Sequence, residues 1–402
     1  MTILVQSMPW LRSTAFSISL RAGIKSEADD RNGLAALTCE MVQRGAGKYS
    51  SRELAAIQDN LGMDRNSGVT SALVSFGAAM PADSLQEALK LYGSVVREPH
   101  LPKDQLDDAR MMMLQELRAI QDEPSHRVMR RLRELRYGSR LGRSSHGTED
   151  SILSMTGDDV QQFYDSNYHA GNSILAVAGR VEAEDIVGWA EQVFGDWKTG
   201  PLEPDFPVEP SYTHEHIDSQ SSQTHIGFAF ECVPYGHEDY FKMRAAIGIL
   251  SDGMSSRLFD RVREQRGLCY TVAASCSSLK SAGGVFGYAG TTPERAQETL
   301  DVTLGEINGL ANDMEQEELD RWKVRIESAL IMEQESSASR AASLVSDFYQ
   351  QGRTTTTEEL ESIIEGLQLD EVRDYWLQHR PQKFHFVTLG PEPLSTPSAK
   401  IV

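Results

Sequence analysis

The first histidine of this 402-residue chain is His100, so the whole N-terminal quarter lacks imidazole. That segment cannot supply the histidine ligands on which catalytic zinc sites usually depend. Cysteine is scarce as well. Cys39, Cys232, Cys269 and Cys276 form no Cys-x-x-Cys unit and no dense disulfide framework, which fits a reducing compartment. No apolar run approaches the roughly 18 residues of a transmembrane helix. The opening MTILVQSMPWLR lacks a basic region followed by a long apolar stretch, so no signal peptide is expected and a cytoplasmic location is. Basic residues are outnumbered 39 to 59, and the net charge of −20 argues against nucleic acid or anionic membrane as a main partner. The same charge fits plain solubility, or an acidic chamber that attracts basic peptides.

What is present is an ordinary globular composition, with enough length for two or three domains. Phe16 to Ala22 alternates apolar and polar residues, as a half-buried strand does. A helix follows with Leu34, Leu37 and Met41 on one face, and the next presents Leu54, Ile57 and Leu61. Ala72, Val74, Phe76 and Ala78 alternate as another strand. Helices are predicted over 83–97 and 102–122, the second with Met111, Met112 and Met113 read as core packing. Strands mixed with helix pairs at short spacing predict an α+β sandwich rather than a wound parallel sheet.

An internal repeat organises the chain. Val160-Gln-Gln-Phe163-Tyr164, then a strand over Ile174 to Ala178 and Gly179, is matched by Val372-Arg-Asp-Tyr375-Trp376, a strand over Phe384 to Leu389, and Gly390. Upstream, Leu106-Asp107, Leu117, Gln121 and Arg127 are matched by Leu319-Asp320, Leu330, Gln334 and Arg340 in nearly the same register. Thr199 to Pro210, with four prolines, reads as a stiff linker between homologous domains at 1–205 and 212–402.

The chemistry-bearing segment is SRLFDRVREQRGLCYTV. It reads as a helix over Ser256 to Gln265, a stop at Gly267 and a strand from Cys269. Arg263 in the last helical turn and Tyr270 just into the strand can converge, giving a cationic fork beside a phenol. Such a pair suits a carbonyl oxygen gaining negative charge. A helix-end arginine and a strand tyrosine are also common structural choices.

Around these residues the chain resembles the pitrilysin/insulinase zinc peptidases, which include the mitochondrial processing peptidase. Members carry Gly-Leu-Ala-His-x-x-Glu-His-Met near the start. Two histidines and a distant glutamate bind zinc, and the motif glutamate activates water. Here the segment is Gly33-Leu34-Ala35-Ala36-Leu37-Thr38-Cys39-Glu40-Met41. Ala36 and Glu40 stand where the histidines belong, and Cys39 replaces the catalytic glutamate. Glu116 falls at the spacing of the third ligand, and Tyr137-Gly138 and His146-Gly147-Thr148-Glu149 follow as in the family. The resemblance implies two homologous domains, each an antiparallel sheet flanked by helices. It also implies an arginine–tyrosine pair, Arg263 and Tyr270, acting in trans on a peptide bound at another chain's zinc.

Two carboxylates and a cysteine are a poor zinc set, so no metal and no independent peptidase activity are expected. The leading expectation is a non-catalytic subunit of a heterodimeric zinc endopeptidase. Its partners would be a zinc-bearing chain of similar length and an unfolded peptide substrate. The alternatives are a peptide-presenting module for a precursor-maturation enzyme, or a scaffold like the peptidase-derived core proteins of the respiratory chain. Other features read blandly. His214 and His216 are solvated strand histidines, and Gly283, Gly284 and Gly287 mark a bulge or close backbone approach. The arginine run from Arg127 to Arg143 paints a helix's solvent face, with Val128, Leu132 and Leu135 turned inward.

Overall fold

The computed structural model describes residues 1–201, 206–208 and 210–397. The predicted linker therefore lies partly outside the described residues. In chain order the first half runs β1 (Thr2–Ser7), β2 (Ser13–Leu20), α1 (Leu34–Met41), α2 (Ser51–Asn60), β3 (Asp64–Val69) and β4 (Val74–Pro81). It continues with α3 (Leu85–Arg97), α4 (Leu106–Asp122), α5 (Pro124–Leu141), α6 (Glu149–Ser154), α7 (Gly157–Asn167), β5 (Ser173–Gly179) and α8 (Ala183–Phe194). The second half opens with β6 (His214–Asp218), β7 (Thr224–Cys232), α9 (Tyr240–Ser251), a π-helix (Leu258–Glu264), β8 (Thr271–Ser278) and β9 (Gly283–Thr291). Then come α10 (Ala296–Gly309), α11 (Gln316–Glu333), α12 (Ser337–Gln351), α13 (Thr357–Gly366), α14 (Leu369–His379) and β10 (His385–Gly390).

The duplication is visible in the sheets. One has the order β1-β5-β2-β4-β3 and the other β6-β10-β7-β9-β8, the same arrangement element for element. Each is antiparallel apart from one parallel edge pair, β1 with β5 and β6 with β10. The expected antiparallel sheets are thus mixed ones. Parallel pairing of a sheet's first and last strands follows from the helical crossover between them. The matched residues Val160 and Val372 are both fully buried, as are Phe163 and Tyr375.

The chain divides into two compact units that are not contiguous in sequence. Unit 1 comprises Met1–Ala119, Arg143–Phe206 and Ile331–Tyr349; unit 2 comprises Ile120–Gly142, Pro207–Leu330 and Gln350–Val402. In unit 1, one face of the sheet packs Phe16, Ile18, Phe76 and Leu175 against the helices of the first half. Its other face, with Ala15, Ile174, Ala176 and Ala178, is covered by Ala341, Leu344 and Val345 of α12. In unit 2, Phe228, Phe230, Val285 and Phe386 face α9, α10 and α14. The opposite face, with Ala229, Phe286 and Val387, is covered by Val128, Leu132 and Leu135 of α5. Since α5 and α12 are equivalent in the repeat, each unit takes this helix from the other half of the chain.

Two readings from sequence are corrected here. Met111 and Met112 are 59% and 47% exposed, and only Met113 of that run is core. The arginine run is no solvent face either. Arg136 is buried and donates to the Gly283 carbonyl, Arg143 is buried against Ile24 and Glu27, and Arg131 forks onto Glu215. Long guanidinium side chains satisfy carbonyls and carboxylates at the edges of a core, which a charge count does not reveal. β1 and the polar edge strand β3 were also missed, because neither has a clean alternation of apolar residues. The strand glycines behave as read: a Cβ on Gly287 would stand 1.9 Å from Phe228 Cζ. Among the described residues no helix is long and apolar enough to cross a membrane.

Candidate functional site

In unit 1 the degenerate motif occupies α1. Gly33 takes φ +97° at the helix N-cap, a left-handed conformation that favours glycine. Glu27 Oε1 accepts hydrogen bonds from the amides of Gly33 (3.1 Å) and Ala35 (2.9 Å), closing the helix start. Arg143 Nη2 lies 3.4 Å from the other carboxyl oxygen. Burial outweighs these contacts and raises the Glu27 pKa from 4.5 to about 7. Sequence reasoning missed this pair, since Glu27 sits in a polar run that reads as a turn.

The residues standing in the motif's ligand positions do not fit zinc. Ala36 offers no donor atom. Cys39 is 6% exposed, and burial pushes its thiol up to about 12, so the sulfur keeps its proton. Glu40 is tied to Arg44, whose Nη2 and Nε lie 2.9 and 3.1 Å from Oε1. Glu116 sits on α4, largely exposed, with His146 Nε2 3.7 Å away. Among the described residues no three His, Cys, Asp or Glu side chains are grouped to hold a metal ion. His214 stacks on Phe386, and His216 bonds Thr388 Oγ1 at 2.9 Å.

In unit 2 the arginine and tyrosine lie next to each other. The predicted helix forms as a π-helix, with Gln265 N donating to Asp260 O at 2.8 Å, an i→i+5 bond. Gly267 ends it at φ +61°. The connector is held tightly: the Leu268 carbonyl accepts from Thr291 and Thr299, and the Gly267 carbonyl from Arg295. Tyr270 lies one residue before β8 rather than inside it, although its amide already joins the ladder, donating to Gly290 O at 2.9 Å. The Arg263 guanidinium carbon stands 4.6 Å from the Phe259 ring centroid and 5.8 Å from that of Tyr270. Phe259, a cation–π platform under the arginine, carries no motif signal and was not singled out from sequence.

Three arginines of this segment have different fates. Arg257 is buried and bonds Glu318, Asp313 and the Leu310 carbonyl. Arg261 bonds Glu306 and Asp313. Arg263 is half-exposed, with the neighbouring Glu264 at 3.5 Å. Tyr270 is 80% exposed, although a tyrosine at a sheet margin would ordinarily bury its ring. Packing explains the first two arginines and leaves Arg263 and Tyr270 unexplained.

Known proteins resemble this chain along most of its length. The family profile described as Insulinase (Peptidase family M16) matches residues 2–149, and that described as Peptidase M16 inactive domain matches residues 154–325. An uncharacterized zinc protease of Rickettsia felis is 25% identical over 374 residues, covering 92% of this chain and 91% of that protein. The mitochondrial-processing peptidase subunit beta of Lentinula edodes is 21% identical over 93% of this chain and 84% of its own. The crystal structure of a peptidase M16 inactive domain from Pseudomonas fluorescens superposes with a TM-score of 0.90 at 24% identity, covering 98% and 97% of the two chains. With both profiles of one family covering both halves of the repeat, this chain belongs to the insulinase family of peptidases, peptidase family M16.

Proposed function

We propose that this chain is the non-catalytic subunit of a two-chain zinc endopeptidase. It binds an extended peptide, and Arg263 and Tyr270 donate hydrogen bonds to the scissile carbonyl while a separate chain carries the metal. One observation carries the reading. Of the three arginines at 257, 261 and 263, only Arg263 has no carboxylate from another element and meets just the adjacent Glu264, and it is held beside a tyrosine whose ring is mostly in water. When a nucleophile attacks a peptide carbonyl, negative charge moves onto the oxygen. A guanidinium N–H and a phenolic O–H fixed by a rigid connector would stabilise that charge without reorganising. The loss of both imidazoles from α1 supports placing the metal elsewhere.

Peptide binding has a further support in unit 1. β3 is an edge strand with nearly all its side chains exposed, and its outer backbone edge carries no strand partner among the described residues. An extended peptide can add to such an edge through main-chain hydrogen bonds. The relative named as a processing-peptidase subunit is consistent with a two-chain assembly for this protein as well.

The test is turnover of the copurified complex on a peptide. Tyr270→Phe removes the hydroxyl and keeps the ring, and Arg263→Ala removes the fork. Each is expected to lower turnover by roughly 100- to 1,000-fold with the complex intact. The two losses should not multiply, because both groups serve one charge. Near-normal turnover in both variants would leave a peptide-holding module as the better account.

A further inference from the structure

A cavity of about 500 Å³ opens in unit 2 between the end of β7 and the connector from α14 to β10. It is remote from the arginine–tyrosine pair. Tyr270 joins the ladder at Gly290, whereas Cys232, in the cavity wall, pairs with Gly283 at the other end of β9. Most of the wall is apolar or aromatic, built from Val233, Pro234, Pro381, Tyr212 and Tyr375. Its charge is the reverse of the chain's. Arg380 and Lys383 face the single carboxylate of Glu231, in a protein with 39 basic and 59 acidic residues.

The lining groups are held in place. Tyr212 stacks on His385 with ring centroids 4.6 Å apart, and its hydroxyl donates to Glu231 Oε2 at 3.5 Å. Lys383 Nζ stands 5.0 Å from the Tyr212 centroid, a cation–π contact. His379 stacks on Tyr375 at 4.5 Å, and the buried Pro381 fixes the backbone after Arg380. Elsewhere in this unit Arg131, Arg257 and Arg261 meet carboxylates, but Arg380 and Lys383 form no ion pair among the described residues. Tyr375 is 5% exposed, and burial raises its pKa, so it stays a neutral phenol. Its hydroxyl has no hydrogen-bond partner among the described residues. A buried donor and two cations without partners, around one apolar cavity, are the groups that a carboxylate on an apolar body would use.

We propose that this cavity binds an amino acid with an apolar side chain by its α-carboxylate, either free or as the last residue of a peptide. The carboxylate meets the guanidinium of Arg380 and the ammonium of Lys383, which form charge-assisted hydrogen bonds with it. The side chain lies among the rings and prolines of the wall. Glu231 accepts from the N–H beside the carboxylate, an ammonium in a free amino acid and an amide in a peptide end. A simple inorganic anion would gain nothing from the apolar wall and would be repelled by Glu231. The site needs neither Arg263 and Tyr270 nor a second chain.

The experiment is a ligand-observed NMR titration of the full chain with three probes. L-phenylalanine is the free amino acid, and N-acetyl-L-phenylalanine keeps the carboxylate and one N–H, as a peptide end does. L-phenylalaninamide lacks the carboxylate. At least one of the two carboxylates should saturate below about 10 mM, and the amide should bind at least about tenfold more weakly. Binding of N-acetyl-L-phenylalanine assigns the site to peptide ends; binding of phenylalanine alone assigns it to the free amino acid. The double substitution Arg380→Ala and Lys383→Ala should weaken binding at least about tenfold, with an unchanged melting profile confirming the fold. Tyr375→Phe, which removes only the hydroxyl, should weaken it by about threefold or more. Failure of both carboxylates to saturate, equal binding of the amide, or undiminished binding in the double variant would overturn the proposal.

Discussion

α2 and the π-helix hold the same place in their repeats, just before the outer strands β3 and β8, and they have diverged. α2 is a regular helix started by a reciprocal capping box between Ser50 and Glu53. Its counterpart is wound as a π-helix, with Arg257 at its N-cap and Arg261 and Arg263 within it. Both segments nevertheless stop at a left-handed glycine, Gly62 and Gly267. Duplication has kept the sheet order and the stop signals, and change is concentrated in the helix beside the edge strand. The first helix of each repeat differs in a similar way, since α1 has become a salt-bridged element held by Glu27 and Arg143.

The largest effect expected from breaking this comparison lies at the N-cap of the π-helix. Arg257→Ala should cost about 3–5 kcal/mol of stability, because Glu318 would lose its buried partner. Arg263→Ala should change stability by no more than about 0.5 kcal/mol, as exposed surface substitutions do. Chemical denaturation measures both. Equal losses would make Arg263 one more structural anchor.

A second, smaller effect tests unit 1. The folded-state pKa of Glu27 is raised above its unfolded value, so its favourable contribution is complete below pH 4.5 and is lost as the pH rises to about 7. Glu27→Gln keeps an acceptor for the Gly33 and Ala35 amides and removes the titration. The variant should gain up to about 3 kcal/mol relative to the parent between pH 4.5 and 8. A parallel pH profile for the two proteins would show that Arg143 already neutralises the carboxylate.

The smallest expected change is in activity. The triple substitution Ala36→His, Cys39→Glu and Glu40→His restores the ligand types and should bring zinc uptake by metal analysis. Turnover by this chain alone should stay at background, since restoring ligand types does not by itself restore the hydrogen bonds that orient them. Full activity without a partner chain would contradict the proposed division of labour.

Much of this was readable from residues. The matching spacings around Val160 and Val372 anticipated two like sheets, and Gly33 to Met41 announced its own missing ligands. The approach of Arg263 to Tyr270 followed from one glycine stop between a helix and a strand. Other features had no local signal. An amphipathic pattern shows which face of α5 or α12 is buried, but not which sheet it covers. Met111 and Met112 share composition with core residues yet face water, and the arginines of α5 look solvated until their carbonyl partners are seen. The widening of residues 258–264 into a π-helix has no counterpart in helix propensity, which does not distinguish i→i+5 from i→i+4 bonding.

The exchange of α5 and α12 has a consequence for how the two halves can be inherited. A gene cut at the linker would encode an N-terminal fragment whose sheet bares Ala15, Ile174, Ala176 and Ala178 on one side, and a C-terminal fragment baring Ala229, Phe286 and Val387. Each fragment would still own a helix that fits only the other. The two repeats are therefore covalently joined and also mutually indispensable, so neither can be lost, duplicated or recombined without its sibling. Substitution within an intact frame is the route left open for divergence, and that is the pattern seen at Ala36, Cys39 and Glu40.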